Sequence, residues 1–207
     1  MRRILDIRKK KQKKVDPEGG DSPEVGDAWV YTCIKRGTYF FPAFSIGKRT
    51  QETCSSMLGT LSSRIEGLSE GNKLEVYTDG NDDYTFTLPL HFETRLMDYG
   101  QLVKIKEHGT LVRKEKRVIY GNPNLDDIET TDIENSNGIF RERIGRLVRK
   151  TKCFSKKRDK LCNAIDLFMF YWNFINNFQR IGSPAMLEGI ADHVWNWHES
   201  LNFHYAV

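Results

Sequence analysis

Two carboxylates stand where acids can do metal chemistry. Asp79 follows Lys73-Leu74-Glu75-Val76-Tyr77-Thr78, whose β-branched and aromatic residues predict a strand, and Gly80 behind it permits a sharp exit. Ligands of α/β sheets gather beyond the carboxyl ends of strands. An oxygen donor there suits a hard divalent cation such as Mg²⁺, which keeps several of its waters. The structural alternative is a turn or helix-capping aspartate, since Asp-Gly is common in turns. Glu134 opens a helix predicted from Asp132 to about Lys152, with Asn137 and Gly138 one turn on and Arg141 two turns on. It reads either as a second metal carboxylate or as an acid favoured by the positive end of the helix dipole.

The same helix carries the densest charge. Residues 141–160 hold ten Lys/Arg against two acids, and residues 1–14 hold eight against one, on a chain whose net charge is only +4. Such clustering is the footprint of a polyanion partner, or else two solvated faces. On the predicted helix Arg141, Arg149 and Lys152 share one meridian, and Arg143, Arg146 and Lys150 another, with Lys156 and Lys157 just beyond. A face of this kind binds DNA phosphates strongly and without regard to sequence, through counterion release.

Other chemistries find little support. The four cysteines (Cys33, Cys54, Cys153, Cys162) form no Cys-x-x-Cys pair, which predicts reduced, mostly buried thiols. The five histidines match no zinc-ligand spacing. No apolar run is long enough to span a bilayer, and Lys9-Lys10-Lys11 stands where a signal peptide would need apolar residues. A cytoplasmic protein, nucleoid-associated in a prokaryote, is the expectation.

The elements that must position these residues alternate in type. Strands are expected over residues 3–8, over Ala28–Ile34, and over Thr38–Ile46 as a hairpin partner turned at Arg36-Gly37, with Pro42 marking an edge or a bulge. A helix follows over residues 50–66, with Cys54, Met57, Leu58, Leu61 and Ile65 on one face. After the strand that ends at Asp79 come a short helix or loop (Phe86, Leu88, Leu90, Phe92) and a strand around Leu102-Val103-Lys104-Ile105. Residues 107–130 look polar and irregular, with a turn at Tyr120-Gly121-Asn122-Pro123. Beyond the basic helix lie an apolar helix over residues 156–178 and a last one from Pro184 to about Asn202. The result is an α/β fold with a mixed sheet flanked by helices and a helical carboxy-terminal extension. Three leading antiparallel strands followed by βα units match the ribonuclease-H-like topology, which propensity alone could not select.

Several ordered segments carry a more specific likeness. They are Gln12-Lys13-Lys14-Val15, Gly26-Asp27-Ala28-Trp29, Gly47-Lys48-Arg49-Thr50, Tyr77-Thr78-Asp79-Gly80, Leu102-Val103-Lys104-Ile105, Tyr120-Gly121-Asn122-Pro123 and Ile133-Glu134-Asn135-Ser136-Asn137. Most distinctive is Arg146-Leu147-Val148-Arg149-Lys150-Thr151 with Phe154-Ser155-Lys156-Lys157, followed by Ser183-Pro184-Ala185-Met186 and Ala191-Asp192-His193-Val194-Trp195. Over residues 8–198 the chain resembles transposases of the insertion-sequence-one type, within the DDE transposase superfamily. The resemblance implies a ribonuclease-H-like catalytic core over residues 1–178, with residues 179–207 packed on it. It implies two Mg²⁺ or Mn²⁺ ions held between three carboxylates, cleavage of double-stranded DNA at the element's terminal repeats, and strand transfer into target DNA. It also implies a homo-oligomer. Asp79 corresponds to the second acid and Glu134 to the third.

The first acid departs from the family. Counting back from Val15 reaches Arg2, and Leu5 stands where the family has Trp. Asp6 is the carboxylate on that strand, a stand-in that would sit about 13 Å further along at roughly 3.3 Å per residue. Gly138 departs too, where relatives carry leucine. The expectations are loss of the first acid together with upstream sequence, absence of the amino-terminal DNA-reading segment, and impaired catalysis. The alternative is an inactive DNA-binding remnant or a regulatory module derived from a transposase.

Overall fold

The computed structural model describes residues 5–7, 26–147, 157–178 and 180–203. Strands β1 (Leu5–Ile7), β2 (Gly26–Thr32) and β3 (Phe44–Gly47) form an antiparallel sheet with β2 in the middle. Helix α1 (Gln51–Ser62) leads to β4 (Leu74–Asp79), and α2 (Asp82–His91) to β5 (Met97–Glu107) and β6 (Thr110–Tyr120). β4 and β5 are parallel and β6 returns antiparallel, giving a mixed sheet in the order β4-β5-β6. Helices α3 (Thr131–Arg143) and α4 (Arg158–Phe170), then short α5 (Pro184–Leu187) and α6 (Trp197–Asn202), complete the chain. The α/β class and the mixed sheet flanked by helices are as expected.

Strand alternation divides the core into two layers. From β2, Ala28 and Val30 enter a cluster with Phe140 and Ile144 of the α3 region and with Leu161, Ile165 and Met169 of α4. Tyr31 points the other way, into a cluster with Cys54, Met57 and Leu58 of α1, Leu88 of α2, and Met97 and Tyr99 of β5. Helix α1 begins at Thr50, whose side chain accepts from the Thr53 backbone N–H, and buries Cys54, Met57 and Leu58 as its 3.6-residue period requires.

Four expectations about the elements are corrected. The return strand is β3 alone, because residues 38–43 turn through Tyr39 at φ 59° and Pro42 has no N–H for a ladder. Residues 107–120 are not irregular: His108 (φ 49°) and Gly109 (φ 84°) make the two-residue turn with both φ positive that a hairpin prefers, and β6 pairs with β5 from Thr110 to Tyr120. The basic helix stops at Arg143. Ile144 is extended, and a single 3₁₀ turn over Gly145–Leu147 drives Leu147 into the core. The last predicted helix breaks into α5 and α6, since Gly189 at φ 70° ends the first.

Past α4 the helix widens into one π turn (Tyr171–Ile175), and the following residues pack back onto it. Trp195 contacts Phe170 and Phe174, Tyr171 stacks on Trp197, and the Trp195 N–H donates to the Phe174 carbonyl at 3.0 Å. This packing covers aromatic surface that α4 would otherwise expose. No helix among the described residues is long and apolar enough to cross a membrane.

A candidate carboxylate site at the open end of the mixed sheet

Asp79 is the last residue of β4, in register with Leu102 of β5. Its neighbour Thr78 meets the Tyr99 hydroxyl at 2.9 Å, in the layer of α1 and α2. Alternation therefore sends Asp79 to the opposite face, which Leu102 and Lys104 share. Asp79 is half-buried, and one of its carboxylate oxygens is fully shielded from solvent. Gly80 allows the tight exit: a Cβ there would stand 3.2–3.3 Å from Val103.

Glu134 lies in the first turn of α3 and faces the same side of the sheet, because Lys104 reaches across to it. The Lys104 Nζ donates to Glu134 Oε1, and the Thr130 hydroxyl donates to the same oxygen at 3.2 Å. Both side chains of the ion pair are about a third exposed, so the pair is only partly screened by water. Ser136 and Asn137, in the next turn, are buried.

The loop behind Asp79 is held by a polar network. Asp83 accepts from the Tyr31 hydroxyl at 2.6 Å and from Asn81 Nδ2 at 3.0 Å. Burial and the Asp83 carboxylate together hold the Tyr31 phenol well above its ordinary range, so it stays a neutral donor. Arg49, at the start of α1, donates to Asn81 Oδ1 at 3.3 Å while its guanidinium lies over the Trp29 ring, 5.2 Å from the centroid. Gln101 Nε2 donates to Thr85 and to the Tyr99 hydroxyl. Sequence reasoning missed this network. The run Asn81-Asp82-Asp83 was a visible polar cluster, but its anchor Tyr31 lies 52 residues away from Asp83.

The other predicted site residues fall into three groups. Arg143, Arg146 and Lys157 are exposed. Arg141 is half-buried, with Nε and one Nη shielded from solvent. Arg149, Lys150, Lys152 and Lys156 lie outside the described residues. With α3 ending at Arg143, one continuous basic meridian through Arg141, Arg149 and Lys152 is not formed by this helix. Asp6 pairs with Asp27 across β1 and β2, and its side chain lies outside those described.

As a set, the donors at this end of the sheet are hard oxygen ligands. Among the described residues no three His, Cys, Asp or Glu side chains gather as a metal-binding group. The three described cysteines form no disulfide, and burial pushes the Cys33 and Cys54 thiols up to about 12 and about 11, which suits packing and not nucleophilic work. No family model, no curated protein and no solved structure matches this chain.

Proposed function

We propose that this chain is a DDE-type transposase by descent, with a ribonuclease-H-like core, that binds double-stranded DNA but is impaired in cleavage and strand transfer. The observation that carries the reading is the placement of Asp79 and Glu134 on one face of the mixed sheet, where Lys104 of β5 pairs with Glu134. The order β1-β2-β3-α1-β4-α2-β5, with antiparallel leading strands and parallel β4 and β5, supports the fold assignment.

Two carboxylates suit one Mg²⁺ or Mn²⁺ that keeps most of its water shell. Such an ion would supply charge neutralisation and a more acidic bound water. The roles of the chain's own residues follow from their positions. Asp79 and Glu134 hold the negative charge at the end of β4. Lys104 neutralises part of it in the absence of a cation and offers a donor to a phosphate oxygen. Exposed Arg143, Arg146 and Lys157 contact the backbone of a duplex. A second ion needs an acid shared by both, and Arg2 stands where the family carries it.

A second reading is a DNA-binding regulator with no cleavage step. The Lys104–Glu134 ion pair favours it, since it gives the acid a permanent cationic partner. Mn²⁺ binding followed by electron paramagnetic resonance separates the two. Under the first reading wild type binds the ion, Asp79→Asn and Glu134→Gln each weaken it at least tenfold, and Lys104→Ala strengthens it. Absence of Mn²⁺ binding in wild type and in Lys104→Ala, with duplex binding intact, selects the regulator.

A further inference from the structure

We propose that the β5–β6 hairpin beyond Asp79 is an arm that lies along duplex DNA next to the carboxylate pair. The inference rests on the DNA-binding reading above and names a surface that reading does not contain.

The arm exists because the strands have unequal lengths. β4 ends opposite Leu102, whereas β5 runs on to Glu107 and β6 returns from Thr110. Past Val103 no third strand among the described residues pairs with the hairpin. At about 3.3 Å per residue the five residues after Leu102 project roughly 17 Å. An isolated two-stranded ribbon is marginally stable. This one is rooted in the mixed sheet and tied at its base, where Lys116 donates to the Leu125 carbonyl at 2.7 Å.

Its charge points to the occupant. Residues 103–115, the part beyond β4, hold four basic side chains (Lys104, Lys106, Arg113, Lys114) against Glu107 and Glu115. Edge strands often carry charge simply to prevent pairing with other sheets. Lysines serve that purpose too, but here they stand on the strands that carry Lys104, the partner of Glu134. Across the hairpin Lys114 stands opposite Lys104, whose ammonium pairs with Glu134, and Lys106 shares that face of the ribbon with Lys114. The shape agrees as well: a two-stranded ribbon fits the major groove of a B-form duplex, about 12 Å wide. Lys104 joins the arm to Glu134, so a backbone held by Lys106 and Lys114 on the same face would lead towards that acid.

The test is fluorescence-anisotropy titration of the full chain with a duplex of unrelated sequence over a range of salt concentrations. Two double variants carry equal charge loss. Lys106→Gln with Lys114→Gln changes exposed arm residues, and Arg95→Gln with Arg180→Gln changes exposed residues outside it. If both arm lysines contact phosphates, the slope of log K against log salt falls by about 1.8 in the arm variant, at about 0.9 per contact. It changes little in the control. Wild-type binding with equal slopes in the two variants overturns the arm and leaves the DNA-binding reading standing. A wild type that binds no duplex overturns both.

Discussion

A buried amide, Asn173, completes an irregular hairpin. Residues 38–43 form no regular ladder, meeting the segment after β2 through the Cys33 N–H to the Ala43 carbonyl and the Lys35 N–H to the Phe40 carbonyl. Between those bonds the Phe41 N–H donates to Asn173 Oδ1 and the Asn173 Nδ2 donates to the Phe41 carbonyl, both at 2.9 Å. Asn173 and Phe41 are both buried, so no water can replace either bond. Phe41 in turn packs edge-on against Phe140 and Trp172, which tie α3 to α4. Asn173→Ala should therefore leave two backbone groups without partners, each costing about 1–3 kcal/mol. Urea unfolding should show a lower midpoint with an unchanged slope, and Asn173→Asp should recover little, since a carboxylate cannot donate to the Phe41 carbonyl. A loss below about 1 kcal/mol would mean that the segment holds itself.

At the scale of elements, what was legible depended on whether burial leaves a period. Helix α1 was readable because Cys54, Met57 and Leu58 must repeat at helical spacing to reach the core. β4 and its terminal Asp79 were readable because a β-branched and aromatic strand ends at Asp-Gly. β6 was not: all but a few of its residues are exposed on both faces, so no alternation survives for the eye to find. The end of α3 was hidden as well, since Ile144 and Leu147 fit a continuing helix by type and are instead drawn into the core by a 3₁₀ turn. The site followed the same rule. The carboxylates could be placed singly, but Lys104 and Tyr31 join it through contacts 30 and 52 residues apart in sequence. Gly138 gives the element-scale prediction. It lies exposed within α3, and a Cβ there meets nothing within 4 Å. Gly138→Ala should stabilise the protein by about 1 kcal/mol, a rise of roughly 2–4 °C in Tm for a chain of this size. A fall in Tm on scanning calorimetry would show that the glycine is kept for a contact.

For the whole molecule the decisive test of the proposed function is whether the scaffold supports phosphodiester chemistry. Two helical layers clamp the sheets, the β4–α2 loop is pinned by Tyr31 and Arg49, and Asp79 and Glu134 face one another's side of the mixed sheet. Those features place both acids on one face of the mixed sheet. On the proposed transposase reading the position of the shared acid falls on Arg2, which lies outside the described residues. Asp at that position would supply the acid that a second ion shares. Arg2→Asp combined with Leu5→Trp should therefore raise Mg²⁺- or Mn²⁺-dependent nicking of supercoiled plasmid from background. The gain should vanish when Asp79→Ala is added. Arg2→Ala with Leu5→Trp should give none, which separates the new ligand from the lost charge. Nicking by the unaltered chain that is lost in both Asp6→Ala and Asp79→Ala would instead make Asp6 the first acid. Nicking lost in Asp79→Ala alone would point to a two-carboxylate site. Failure of the restored chain to cleave, with its fold and duplex binding intact, would place the defect beyond β1 and favour the regulator.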